Sequence, residues 1–261
     1  MSWLGPVNAS DDAYDVDTKI SPVLNSLMHI QNVLFLNMNY NGSDRDNIKE
    51  AVMRYGAVGS SLYWIQSQPY EKGANYYYNG KTVLPDHAMA IIGWDDDYSR
   101  YNFGITPPGD GAWICKNSWG DGFGDEGYFY ISYYTSSLNY EFFNNNTDYM
   151  NLDRVFTIIL NDTIRLDKNY QYDYAGPTNC WKLDNNVAVK NVFNATEDEY
   201  LAAVSTYFLD DCEYEINIYV NGELVLNQSS TTKPGYYTIN LNKLIPLKAN
   251  DTFEVVSTFQ V

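Results

Sequence analysis

The sequence predicts an α+β chain that is mostly β, and three observations predict it. Tyrosine occurs 25 times and aromatic residues make up 16% of the chain, a composition suited to pleated, half-buried surfaces. Short apolar runs bounded by Gly, Pro, Asn and Asp recur along the length, while only the stretch from Ser43 to Gly56 carries a clear helical period. An Asn-rich connection at 136–150 separates two textures. The 261 residues suffice for two domains of ordinary size, expected at 1–140 and 141–261.

In chain order, residues 1–32 are irregular because Pro6, Asp11, Asp12, Asp15 and Pro22 interrupt any period. Val33–Leu36 is an apolar strand, and His29 before it reads as structural, since nothing nearby completes a site. A helix follows. Ser43 can cap it, Asp44 and Asp46 favour its N-terminal dipole, and Gly56 ends it. Ile48, Val52 and Tyr55 share one helical face. Ala57–Trp64 is a strand with small residues at its centre, and 76–80 is a turn-rich aromatic patch.

Two apolar strands come next, His87–Trp94 and Ala112–Asn117, joined by a loop that includes Ile105–Gly111. Asp95, Asp96 and Asp97 form an oxygen-rich triple compatible with calcium. It lacks the alternating spacing and closing Glu of a helix-loop-helix calcium site and reads as a solvated turn. Gly120, Gly122, Gly124 and Gly127 allow a tight loop before the strand Tyr128–Tyr134.

Beyond residue 150 short strands dominate: Arg154–Leu160, Val187–Phe193, Leu201–Leu209, Tyr214–Val220, Glu223–Asn227, Tyr236–Leu241 and Thr252–Phe259. Asn221-Gly222 between two alternating runs is a type I′ hairpin signal. This pattern predicts an antiparallel sandwich or jelly roll of about 110 residues.

The chemistry lies in the paired strands of the first region. His87 opens one strand, directly after Asp86, and Asn117 closes the other, running into Ser118-Trp119-Gly120. Both side chains can reach one edge of a sheet. A histidine acting as a base needs its second ring nitrogen held, which sets tautomer and orientation. An Asn carbonyl can do this without adding charge, leaving the imidazolium free to pair with a thiolate. Trp119, two residues after Asn117, can shield that bond from water. Cys115 shares a strand face with Asn117 and reads as a packed core residue rather than a nucleophile.

On these residues the chain resembles the C-terminal half of a papain-like cysteine peptidase. The motifs are Asp86-His87-Ala88 and Lys116-Asn117-Ser118-Trp119-Gly120, with Phe123 where the family has a second Trp. The match runs from about Asn47 to about Tyr134, and resembles in flavour bacterial and archaeal surface peptidases that carry a lectin-like domain after the protease. The resemblance implies the β-rich right-hand half of a papain-like fold, followed by a lectin-like sandwich. It implies His87 as base and acid, Asn117 as orienter, and Trp119 and Asp86 as supporting residues. Tyr63 and Trp64 would then either face the substrate cleft or simply pack.

The family's Gln…Gly-Ser-Cys-Trp nucleophile segment does not occur in this sequence. The cysteines are Cys115, Cys180 and Cys212, none of them in such a segment. Cys180 and Cys212 can pair, and the sequence leaves their connectivity open. The reading is therefore a cysteine-type peptidase lacking its nucleophile in these residues and inactive alone, with a peptide substrate and a Cys-bearing half as partner. The alternative is a non-catalytic remnant that binds a cell-surface glycan through the sandwich. No cofactor is implied, calcium in the sandwich being compatible with the acidity and no more.

A formal net charge of −17 argues against nucleic acid and against anionic membrane surfaces. Hydrophobic residues at 45% with 19% charged exclude a disordered chain. No apolar run reaches the 18 residues a membrane-spanning helix needs, and Met1–Pro6 has neither the basic start nor the apolar core of a signal peptide. The resemblance nevertheless implies an extracellular or cell-surface setting. Asn-x-Ser/Thr sequons, as at Asn194, Asn227 and Asn250, support export weakly.

Overall fold

The structure, a computed structural model, describes residues 5–8, 10–11, 26–36, 45–81, 85–138, 155–161, 166–172 and 187–260. The ordered elements are β1 (His29–Leu36), α1 (Arg45–Tyr55), β2 (Val58–Leu62), β3 (Glu71–Lys72), β4 (Asn75–Tyr76), β5 (His87–Asp95), β6 (Ala112–Lys116) and β7 (Tyr128–Ser132). They continue with β8 (Val155–Asn161), β9 (Ala188–Asn194), β10 (Glu199–Phe208), β11 (Cys212–Val220), β12 (Glu223–Thr232), β13 (Gly235–Leu247) and β14 (Thr252–Gln260). The chain is α+β and mostly β, with antiparallel pairing dominant.

Two compact units divide it. One is Phe35–Thr157; the other gathers the described residues before Phe35 with those from Ile158 onward. The expected domains, 1–140 and 141–261, differ from this division at both ends: Val155–Thr157 group with the first region, and the described residues before Phe35 group with the second, where Asn32 faces Tyr237 and Leu34 faces Gly235 of β13.

In the Phe35–Thr157 unit the strand order is β8-β2-β5-β6-β7-β4-β3. The β5–β6 and β6–β7 pairings are antiparallel, with Ile91 opposite Cys115 and Cys115 opposite Phe129. Alternation sends Val58, Leu62, Ile91, Trp113, Cys115, Phe129 and Ile131 into one core where all are fully buried. Side chains of this size each contribute roughly 1.5–3 kcal/mol on burial.

Helix α1 covers that core through Ile48 and Ala51, with Val52 partly buried against it. Tyr55, expected on the same face, is instead 40% exposed; it sits in the last turn, where Ala51, one turn earlier, already faces the core. Ser43 and Asp44, read as cap and first-turn acid, lie outside the described residues. Asp95 receives the Asp97 amide at 2.9 Å, making the turn, and Asp96 receives Lys49 Nζ at 2.6 Å and the Tyr133 hydroxyl at 2.8 Å.

The second unit is a sandwich. One layer has β13 between β10 and β1, the other runs β12-β11-β14-β9. Phe208, Leu241, Ile245 and Leu247 of the first meet Ile216, Ile218, Phe253 and Val255 of the second in a shared core. The Asn221-Gly222 turn has φ of 49° and 86° at its two centres, as a type I′ hairpin requires. Cys180 lies outside the described residues, and with it the expected pairing to Cys212.

Candidate active site

His87 is the first residue of β5, and Asn117 immediately follows the last residue of β6. Antiparallel pairing of β5 with β6 brings these ends to one edge. There His87 Nε2 lies 3.0 Å from Asn117 Oδ1. The same oxygen accepts the Ser118 backbone N–H at 2.8 Å. A backbone N–H can only donate, so that atom must be the amide oxygen, and His87 Nε2 must carry a proton and donate to it. The neutral imidazole therefore keeps its lone pair on Nδ1. Asn117 is buried, and its own backbone N–H donates to the Gly127 carbonyl at 3.0 Å.

Aromatic rings close around this pair. The Trp119 indole lies 4.6 Å from the His87 ring at a tilt of 40°. Trp64 meets His87 at 5.5 Å and Trp119 edge-on at 5.3 Å. Behind them Trp64 stacks on Tyr76 at 4.3 Å and meets Phe123 and Phe129 edge-on. Burial lowers the His87 pKa from its ordinary 6.5, opposed by the Asn117 hydrogen bond and by the nearby Asp86 charge.

Asp86 does not bond His87. Its Oδ1 accepts the Trp64 backbone N–H at 2.8 Å, so its support of the site is indirect, fixing the segment that supplies Trp64. That segment is fixed a second time by Tyr76, whose hydroxyl donates to the Tyr63 carbonyl at 2.6 Å and accepts the Ile65 N–H at 3.2 Å. The sequence flags Trp64 without deciding between cleft and packing; it is partly exposed and packs at the centre of the ring cluster. The Asp86–Trp64 bond spans 22 positions and has no local signature from which to read it.

Cys115 lies in the core, fully buried, and burial pushes its thiol far above the usual range. It is opposite Ile91 and Phe129, away from the imidazole edge, and cannot supply a thiolate. Cys212 belongs to the other unit, where burial also raises its thiol. Among the described residues no group of three or more His, Cys, Asp or Glu side chains is placed to hold a metal ion.

A His–Asn pair under a tryptophan, on the edge of an antiparallel sheet, has the arrangement in which Cys-His-Asn proteases orient an imidazole. Residues 19–150 match the papain family cysteine protease family, and residues 169–261 match the lectin like domain family. The chain belongs to the papain family of cysteine proteases and carries a lectin-like domain after the protease region. A structure of the clostridial cysteine protease Cwp84 after propeptide cleavage is similar, with a TM-score of 0.77 at 25% identity, over 98% of this chain and 64% of that one. A structure of the cysteine protease and lectin-like domains of the same protein, described as surface layer associated in Clostridium difficile, gives 0.76 at 25% identity, over 98% and 57%. Serine-repeat antigen protein 5 of Plasmodium falciparum (isolate 3D7) is 30% identical over 166 residues, which cover 58% of this chain and 15% of that protein. The chain thus spans only part of the length of these relatives.

Proposed function

We propose that His87 and Asn117 are the base and its orienter in a thiol-dependent peptidase that acts on peptide or protein substrates. The thiolate and the oxyanion donor come from a Cys-bearing half outside these 261 residues. The observation that carries this reading is the double acceptance at Asn117 Oδ1, from His87 Nε2 at 3.0 Å and Ser118 N at 2.8 Å. It commits Nε2 to the amide and leaves Nδ1 to exchange a proton with an incoming thiol. His87 would take the thiol proton to form a thiolate–imidazolium pair, then return a proton to the leaving amine. Trp119 keeps water from competing for the His–Asn bond. Asn117 adds no charge, so the imidazolium is stabilised by the thiolate it faces.

The 261 residues alone should show no thiol-dependent hydrolysis and no labelling by a peptidyl epoxide. Loss of a triad nucleophile lowers turnover on the order of 10⁶-fold in a serine protease. Supplying a Cys-bearing papain-like half, fused or in trans, should restore both. His87→Ala should then abolish the restored activity, by about 10²–10⁴-fold or more. Asn117→Ala should weaken it less, and Cys115→Ala should leave it unchanged. Restored hydrolysis that survives His87→Ala would sink the assignment.

A second reading is favoured by the lectin-like match over residues 169–261: the sandwich binds a cell-surface glycan and keeps the protein at the surface, as the surface layer association of Cwp84 supports. Retention on a glycan array by the 261-residue chain tests it; absence of binding to every neutral and acidic glycan removes it.

A further inference from the structure

The loop Ser118–Gly127 follows directly on Asn117, which bonds His87, and carries the indole that covers that bond. What closes this loop therefore controls the pair. Its neck is the Asn117 N–H to Gly127 carbonyl bond. Its inner turn is made by Gly127 N–H to Phe123 O at 2.7 Å and by reciprocal bonds between Asp125 and Tyr128 at 2.8 and 2.9 Å. The corner of the turn runs through left-handed backbone at two residues, Glu126 with φ 52° and Gly127 with φ 86°. Glu126 has a Cβ, and such a residue holds this conformation only when its surroundings impose it.

Lys116 supplies that constraint. On β6 it stands directly opposite Tyr128 on β7. Its ammonium lies 4.0 Å from the centroid of the Tyr128 ring and donates to the Glu126 carbonyl at 3.1 Å. A Cβ on Gly127 would come within 2.5 Å of Lys116 Nζ and 2.8 Å of the Gly120 carbonyl, so the corner and the ammonium are packed against one another. From this corner the contacts run unbroken to the imidazole. Phe123, whose carbonyl takes the Gly127 N–H, meets Trp119 edge-on at 4.9 Å, and Trp119 lies over His87. A lysine that only solvated the surface would need neither the ring beneath it nor the carbonyl in front of it.

We propose that Lys116 is a positioning residue for the His87–Asn117 pair: its ammonium fastens the Glu126–Gly127 corner and thereby holds Trp119 over the His–Asn hydrogen bond. Its meaning for catalysis rests on the peptidase reading above. Its physical content is independent of that reading, because it concerns a bond present in this chain without any nucleophile.

The test is exchange of the His87 Nε2 proton with water, followed by NMR in the full chain with ¹⁵N-labelled histidine. With two histidines in the sequence, His29→Gln and His87→Gln assign the signals. Lys116→Met should speed exchange of the His87 proton on the order of tenfold, the effect of losing one hydrogen bond to a charged group. Lys116→Arg, which can also donate to a carbonyl and lie on a ring, should restore the slow rate. A purely structural lysine would lower the thermal midpoint without changing this exchange, and that outcome overturns the proposal, as does failure of the Arg variant to restore it. If Lys116→Met does not fold, Tyr128→Leu removes the ring seat and keeps the donor. It should then speed exchange by a smaller factor, and an unchanged rate overturns the proposal equally. Absence of restored peptidase activity would count against the peptidase reading and leave this measurement standing.

Discussion

His87 is held at one nitrogen, covered by two indoles and lowered in pKa by burial. The lowered pKa has a consequence for stability. An unfolded imidazole takes up a proton as pH falls through the ordinary value of 6.5, whereas the folded one resists until lower pH. In that window the unfolded state binds more protons, so stability rises with pH. The contribution is complete above 6.5 and is lost as pH falls from there to the folded pKa. Urea unfolding at several pH values across this window should show wild type losing more stability on acidification than His87→Gln does. Equal losses in the two proteins would mean that His87 titrates as a free imidazole. The meeting of His87 with Asn117 is legible at this scale because it is carried by residue identity and by the two strand ends. An imidazole after Asp86 and an amide before Ser118-Trp119 are the residue types that the proposed base and orienter require, and their motifs stand out in the sequence. The contacts that Asp86 and Lys116 make are not legible in the sequence, since each is to a backbone group: the Trp64 amide, 22 positions back, and the Glu126 carbonyl, 10 positions on.

Strand ends set by turn chemistry are legible in the sequence, and strand ends set by pairing are not. The β11–β12 hairpin is the first kind: Asn221-Gly222 marks it, and both residues have the positive φ that a type I′ turn needs. The Asn221 side chain adds a second role, donating to Asp251 Oδ1 at 2.8 Å and accepting the Thr252 N–H at 3.0 Å, so the turn is tied to the start of β14. Gly222→Ala should cost about 1 kcal/mol, because a Cβ is strained at that φ. Nothing lies within 4 Å of where the Cβ would be, so the loss should come from the backbone alone, and Gly222→Asn, which tolerates the left-handed region, should recover part of it. Equal losses for Ala and Asn in chemical denaturation would rule out the backbone explanation.

Strand β13 is the second kind. The apolar pattern predicts an end at Leu241, before Asn242-Lys243 and Pro246, yet the strand extends to Leu247. Tyr200 pairs with Pro246 and Glu199 with Leu247 after a register shift near Leu201. Pairing with β1 is confined to Gly235–Tyr237, so among the described residues Pro246 has β10 on one side and no ladder partner on the other. There its missing N–H costs least.

At the scale of the whole molecule, β1 shows why a boundary drawn from composition differs from one drawn from contacts. The Asn-rich connection at 136–150 suggests where one texture gives way to another, but hydrogen bonds follow space rather than sequence. Asn32–Leu34 supply the ladder for Tyr237–Gly235, and Asn32 Oδ1 accepts the Thr238 backbone N–H at 3.0 Å. That bond spans 206 positions, a separation that no local pattern announces. A fragment of residues 151–261 keeps the shared core of Phe208, Ile216, Ile218, Leu241, Ile245 and Phe253, so it should fold cooperatively with a β-type circular dichroism spectrum. It should do so below its full stability, because Gly235–Thr238 lose their β1 partners on that side of β13. Adding a peptide of residues 26–36 should raise the thermal midpoint by several degrees, since roughly 1 kcal/mol corresponds to about 4–8 °C for a domain of this size. The same peptide with Asn32→Ala should raise it less, because the bond to Thr238 is then gone. No shift with either peptide would mean that the sandwich does not depend on β1, and that its folding unit begins after the 136–150 connection.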